Sequence, residues 1–197
     1  MHRRTFMIGT GVAGLAALSR PALAQTTAQV IAPYVAQLTY DYPAGQIHVT
    51  PDNFRLYWTL GNGEARVYPI RVGRGDLYEA GEFFIGAKKE WPAWTPTPDM
   101  IAREPEKYAR YAEGGMAGGP GNPLGARALY LFTPERGDTF LRIHGTDDPA
   151  TIGRAVSNGC AGLTNDQIID LYDRVPLDTE VFLHPRIGSA AFSPGST

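Results

Sequence analysis

Phe54-Arg55-Leu56-Tyr57-Trp58-Thr59-Leu60, then Gly61-Asn62-Gly63, then Ala65-Arg66-Val67-Tyr68-Pro69-Ile70-Arg71-Val72 is the stretch that decides the fold class. Two runs rich in aromatic and β-branched residues flank a turn whose Asn and Gly tolerate positive φ, which predicts a β-hairpin. Phe54, Tyr57 and Leu60 are mixed with polar neighbours, so the strands should have one covered face and one wetter face. Outward from this hairpin, Gln46–Val49 precedes it and Gly81–Ala87 follows it as further strands, which makes a β-meander the economical reading. Strand signals resume at Ala128–Phe132, Thr139–Ile143 and Glu180–His184.

Two segments break this pattern. Pro149–Val156 has the look of a short helix, and Thr164–Val175 of a better one. In the latter, Thr164 is placed to cap, Asp166 and Gln167 favour the first turn, and Ile168, Leu171 and Val175 recur at helical spacing. Between Lys88 and Arg127 lies a long Pro/Gly-rich segment containing Trp91-Pro92-Ala93-Trp94-Thr95-Pro96 and Gly114-Gly115-Met116-Ala117-Gly118-Gly119. A loop of that length inside a compact domain suggests an ordered, substrate-facing element. The fold class expected is mainly β, with one clear helix.

The 197 residues leave room for one domain and short appendages. Residues 1–24 have the form of an export signal: Arg3-Arg4 precede an apolar run from Phe6 to Leu18, and Ala22-Leu23-Ala24 is a small-x-small cleavage pattern. Thr5-Phe6-Met7 after the arginine pair, together with Arg20, suits the twin-arginine type. Residues 25–43 are then a lead-in, 44–185 the domain and 186–197 a flexible tail. No second hydrophobic stretch follows, so a soluble, periplasmic product exported by the twin-arginine route is expected. Loss of three arginines and no acid with residues 1–24 moves the formal charge from −2 to −5. That balance disfavours nucleic acid as a partner, for which a basic patch is expected.

The one cysteine, Cys160, has no intramolecular disulfide partner in an oxidising compartment. It is either buried or used. It stands in Ser157-Asn158-Gly159-Cys160-Ala161-Gly162, where glycines allow a tight turn and close approach of a substrate. Backbone N–H groups of Gly159 and Cys160 beside the sulfur could hold an oxyanion. A nucleophilic thiol needs a base. His48 and His184 sit in the first and last strands expected and suit half-buried structural roles, whereas His144 ends a strand directly before Gly145 and a polar loop. Arg142 shares the face of His144 by strand alternation. Arg127 and Arg154 are further sources of positive charge, and Trp91, Trp94, Met116 and Tyr130 could line a groove or simply pack.

Ile143-His144-Gly145-Thr146 followed by Ser157-Asn158-Gly159-Cys160, with fifteen residues between His144 and Cys160, resembles the signature of the L,D-transpeptidase (YkuD-like) family. The likeness extends through Gly81-Glu82-Phe83-Phe84-Ile85-Gly86, Trp94 to Met100 and Gly118 to Gly125, and on to Asn165 and Leu171-Tyr172-Asp173-Arg174-Val175-Pro176. It implies a β-sandwich-like catalytic domain in which Cys160 is the nucleophile and His144 the base, with Ser157, Asn158, Gly159 and Gly145 shaping the turn and oxyanion site. It implies peptidoglycan stem peptides as substrate, a wall-attached protein as an alternative acceptor, a monomer, and no metal or cofactor. The other reactions compatible with it are hydrolysis of the same bonds, as an L,D-carboxypeptidase or amidase, and a silent wall-binding module. Two departures stand out: Asn158 occupies a position where many members carry His or Arg, and Gly162 one where Arg is common. A guanidinium at the latter would supply positive charge and a bidentate carboxylate partner.

Overall fold

The computed structural model describes residues 32–187. The expected export signal and residues 188–197 of the expected tail lie outside the described residues. Eleven strands are present among them: β1 (Tyr34–Gln37), β2 (Ile47–Thr50), β3 (Arg55–Gly61), β4 (Glu64–Pro69), β5 (Val72–Gly73), β6 (Gly81–Glu90), β7 (Arg127–Thr133), β8 (Gly137–Thr146), β9 (Ala155–Ser157), β10 (Ala161–Thr164) and β11 (Glu180–Leu183). Three helices accompany them: α1 (Pro98–Arg103), α2 (Pro105–Tyr108) and α3 (Asn165–Arg174).

The opening hairpin forms as expected. β3 and β4 pair antiparallel, with Leu56 opposite Tyr68 and Trp58 opposite Arg66. Asn62 and Gly63 both have positive φ, 54° and 72°, the geometry that matches a two-residue turn to strand twist. Leu56 and Trp58 are buried while Tyr57 is only partly covered, so the hairpin has the two unlike faces its sequence implies.

Nine strands make one sheet in the order β1-β4-β3-β2-β11-β6-β7-β8-β10, and β5 pairs with β9 in a second. β2 with β11 and β8 with β10 are parallel; the other neighbours in the large sheet are antiparallel. β4 lies next to one edge of the large sheet, yet two residues after its end Arg71 exchanges backbone hydrogen bonds with Gly162 in β10, the opposite edge. The sheet therefore curls until its two sides are bridged, which is the sandwich-like arrangement. Ile47, Val49, Leu56, Ile70, Ile85, Leu129, Leu131, Ile143, Leu163 and Val181 fill the interior, and Ile168, Leu171 and Val175 of α3 join them. Burying each such aliphatic side chain contributes about 1.5–3 kcal/mol.

Five local expectations are refined or corrected. Pro149–Val156 is a single 3-10 turn, Pro149–Thr151, followed by β9. Gly153 at φ 79° ends the helical run, and the Gly153 N–H and Arg154 carbonyl are taken by Ile70 and Val72 across the fold. Thr164 precedes α3 but makes no side-chain cap bond, because it is held in β10 opposite Thr146. The long loop contains α1 and α2, with Thr97 capping α1 through its hydroxyl to the Met100 N–H and Pro98 at the first helical position. The lead-in contributes β1 as an edge strand on β4, and the expected tail begins with an anchored Arg186, which donates to the Gly73 carbonyl at 2.7 Å.

α3 is tied to the hairpin by Asp170, which accepts from Arg66 Nε and from Tyr68 Oη at 2.7 Å each and from Arg174 at 2.7 Å. Burial alone would raise this carboxyl, but the hydrogen bonds from Arg174, Tyr68 and Arg66 outweigh it and hold the pKa at about 2. Asp170→Asn should lose about 1–3 kcal/mol at neutral pH, because the Tyr68 hydroxyl and Arg66 lose their charged acceptor. The carboxylate's contribution is present above its unfolded pKa near 3.8 and is lost as pH falls through 2, so denaturant midpoints of variant and parent should converge in strong acid.

Candidate active site

His144 lies near the end of β8, between Ala128 of β7 and Gly162 of β10, and is buried. Its Nδ1 is 2.6 Å from the Gly145 carbonyl oxygen. A carbonyl only accepts, so Nδ1 carries the hydrogen and the Nε2 lone pair is left to take a proton. Burial lowers the His144 pKa to about 3, aided by the charges of Arg71 and Arg142 and opposed by the Gly145 carbonyl. At neutral pH the imidazole is an uncharged base.

Cys160 leads into β10. Register places Gly162 opposite His144 in the parallel pair, so Cys160 comes level with Arg142, two residues before His144. Alternation then directs Cys160 and His144 to the same face of adjacent strands. The turn before the cysteine is closed by Ser157, whose hydroxyl donates to the Cys160 carbonyl at 2.6 Å and accepts from the Gly159 N–H at 3.3 Å. Gly159 has φ 123°, and a Cβ there would lie 2.9 Å from the Leu77 carbonyl, so both conformation and room require glycine. Cys160 is partly exposed and unpaired. Burial pushes its thiol pKa up, while the Arg142 backbone N–H and the charges of Arg142 and Arg71 pull it down less strongly. Thiol and imidazole are thus both neutral at rest.

The long loop comes over this turn. Asn158 donates through Nδ2 to Tyr108 Oη of α2 at 2.9 Å, and its Oδ1 accepts from Arg74 and Arg103 at 3.4 Å each. Trp94 and Met116 exchange backbone hydrogen bonds of 2.9 and 2.6 Å and so clasp the base of the loop. The Trp94 ring packs on Tyr108 and Tyr111. Arg142 sits beside the cysteine, but its guanidinium is bound by Asp138 at 2.7 and 2.8 Å and lies 4.0 Å over the Tyr130 ring. Arg127 pairs with Glu90, and Arg154 is exposed. His48 and His184 stack on one another, 3.0 Å between Nδ1 and Nε2, on β2 and just beyond β11, away from the cysteine.

Sequence reasoning missed three residues as parts of the site. Asn122 is buried and donates to the Met116 and Ala117 carbonyls while accepting from the Leu124 N–H, which shapes the glycine-rich end of the loop. Asn165 accepts from the Ala126 N–H, and its Oδ1 fills the space where a Cβ of Gly145 or Gly125 would stand. Arg71, next to Gly162, is the third. The signal for it was a charged residue inside the apolar run Pro69-Ile70-Arg71-Val72, where burial of an arginine demands a reason.

The neutral histidines have a consequence for stability. His144 titrates near 3 in the folded chain against an ordinary histidine value of 6.5, so between these pH values the unfolded chain binds a proton that the folded chain does not. Stability is therefore complete above about pH 6.5 and falls on acidification, by up to roughly 1.4 kcal/mol per pH unit for a buried imidazole. His48, lowered to about 4 by burial and by His184 against Glu180, and His184, lowered by burial, act in the same direction. Guanidinium midpoints should drop between pH 7 and pH 5.

Among the described residues no cluster of three or more His, Cys, Asp or Glu side chains could hold a metal ion, and no helix is long and apolar enough to cross a membrane. A family model for the L,D-transpeptidase catalytic domain, YkuD, matches residues 44–183. A putative L,D-transpeptidase from the ATP synthase subunits region of Fuscovulum blasticum is 35% identical over 199 residues, covering 92% of this chain and 96% of that one. The probable L,D-transpeptidase ErfK/SrfK of Escherichia coli (strain K12) is 34% identical over 127 residues, 64% of this chain, and the chain spans 39% of that protein's length. A crystal structure of a probable carnitine operon oxidoreductase from Brucella melitensis shares 47% identity at a TM-score of 0.53, covering 75% of this chain and 90% of its own. An L,D-transpeptidase from Mycobacterium smegmatis superposes with a TM-score of 0.54 at 14% identity, over 85% of this chain and 88% of its own, and so shares the fold. A family match over most of the described residues, with a relative aligned along nearly the whole chain, establishes that this protein belongs to the YkuD family of L,D-transpeptidase catalytic domains.

Proposed function

We propose that the protein is an exported peptidoglycan L,D-transpeptidase acting through a thioester on Cys160, with His144 as its base. The observation that carries this reading is the pairing of the two residues on one face of adjacent parallel strands, with His144 Nδ1 bound to the Gly145 carbonyl so that Nε2 is the basic nitrogen. A neutral thiol beside a neutral imidazole suits general-base attack rather than a preformed ion pair.

In the first half-reaction the Cys160 sulfur bonds to the carbonyl carbon of the L-centre that precedes the donor stem's terminal D-residue, and the thiol proton passes to His144 Nε2. The carbonyl oxygen becomes an oxyanion held by the Cys160 N–H, since the Gly159 N–H is turned to Ser157. The C–N bond then breaks, and His144 returns the proton to the departing amine of the D-residue, leaving the thioester. In the second half-reaction an amine of another stem, or of a wall-attached protein, attacks the thioester and gives its proton to His144. The sulfur leaves and is reprotonated, and an amide link is made. The chain's own groups supply every proton acceptor in this sequence.

Incubation of the purified domain, residues 25–197, with muropeptides followed by mass spectrometry tests the reading. Cross-linked dimers are the expected product. Shortened monomers alone would instead mean that water resolves the thioester and that the enzyme is a carboxypeptidase.

A further inference from the structure

Gly162 stands two residues after the nucleophile, and its φ lies outside the left-handed region, so the backbone does not require glycine there. Space does. A Cβ on residue 162 would lie 2.4 Å from Arg71 Nε, 2.8 Å from its Cγ and 3.1 Å from its Cδ. The Arg71 side chain therefore runs through the volume that a side chain at position 162 would take. It is held there by the paired backbone bonds between Arg71 and Gly162, both 2.9 Å.

The partners of this guanidinium are few. Arg66, Arg74, Arg127, Arg136, Arg142 and Arg174 each have a carboxylate within ion-pairing distance, and Arg71 has none among the described residues. Its Nη1 donates to Thr151 Oγ1 at 3.2 Å, and its Nε is buried without a partner. A largely desolvated cation that feels the Asp148 carboxylate only from beyond ion-pairing distance is costly, and a site that keeps one next to its nucleophile is built to receive negative charge. Arg142, the other guanidinium beside Cys160, is already neutralised by Asp138.

We propose that Arg71 binds the carboxylate of the donor's terminal D-residue, reaching the site through the room that Gly162 leaves. This rests on the transpeptidase reading above. Attack on the penultimate carbonyl places the free carboxylate of the departing residue one residue's length, about 3.8 Å per Cα step, beyond the attacked carbon. The anion thus arrives on the Cys160 side of β10, where Arg71 lies. The Coulombic influence of Arg71 on both Cys160 and His144 agrees with that placement.

The test compares two tetrapeptide donors, one ending in a free carboxylate and one in the corresponding carboxamide, with kcat and KM read from release of the terminal residue. For the carboxylate donor Arg71→Met should raise KM about ten- to a hundredfold, the worth of a charge-assisted hydrogen bond, with kcat less affected. On the carboxamide the parent should fall to the level of the variant, and Arg71→Met should cost nothing more. The double variant Arg71→Ala/Gly162→Arg, in which alanine clears the Cγ and Cδ that crowd a side chain at 162, should recover much of the lost affinity by presenting a guanidinium from β10, while Gly162→Arg alone should be impaired by crowding and like charge. Equal loss on both donors in a folded variant would overturn the assignment, and so would the lack of any preference of the parent for the carboxylate, which is read without the variant and decides even if the methionine variant fails to fold. Turnover of neither donor by the folded parent would overturn the transpeptidase reading beneath it.

Discussion

Cys160→Ala should abolish both peptide turnover and covalent capture of a β-lactam, with little change in thermal stability. The chemistry requires an atom that bonds to a carbonyl carbon and later leaves, and a methyl group does neither, so residual turnover should be at least about ten thousandfold below the parent. No other cysteine exists in the chain to substitute. Intact mass spectrometry after incubation with a carbapenem should show a single adduct on the parent and none on the variant. The stability arm matters as much. Cys160 as a residue is partly exposed, its thiol is turned inward, and Ser157 closes the turn through bonds to backbone that alanine keeps, so losing the one sulfur atom should cost no more than about 1–2 kcal/mol. A fall in melting temperature of many degrees would identify the thiol as a packing element and remove the reason for calling it a nucleophile.

The strands, and the turn and strand end that carry the candidate residues Cys160 and His144, were legible because their signals are local. A run of aromatic and β-branched residues around Asn62-Gly63 forms a hairpin in almost any context, and Gly159 before Cys160 marks a turn that no other residue could make. What escaped were features decided across the fold. The helical run at Pro149–Val156 stops after one 3-10 turn because Ile70 and Val72 claim its next backbone groups from the other side of the sheet. β1 was hidden because its Tyr34, Val35 and Gln37 are exposed and carry no alternation. Arg71 is 91 positions short of Gly162 along the chain, and only the curling of the sheet brings its side chain into the space that Gly162 leaves. The absence of a side chain at 162 was visible in the sequence; what fills its place was not. Thr97-Pro98-Asp99 is a different case. It is a helix start written in plain local chemistry, obscured by the proline and glycine content of the loop around it.

His144→Ala should slow acylation by about a hundred- to ten thousandfold and change its pH dependence, and the second effect separates a base from a structural residue. In the parent, Nε2 is unprotonated down to about pH 3, so the base is present throughout the accessible range and acylation should vary weakly with pH between 6 and 8. Without it, attack depends on the small thiolate fraction. Burial holds the Cys160 thiol above its ordinary value, so that fraction rises about tenfold per pH unit across the same range. The variant's rate constant for carbapenem acylation should climb with that slope toward alkaline pH. Removing a buried imidazole also opens a cavity between β7 and β10, so the melting temperature will drop; His144→Gln, nearer in volume, controls for that loss. Both variants should show the same steep pH slope if the imidazole is the base. A parent-like flat profile in either would mean that another group accepts the thiol proton and that His144 serves only to fill the space beside the nucleophile.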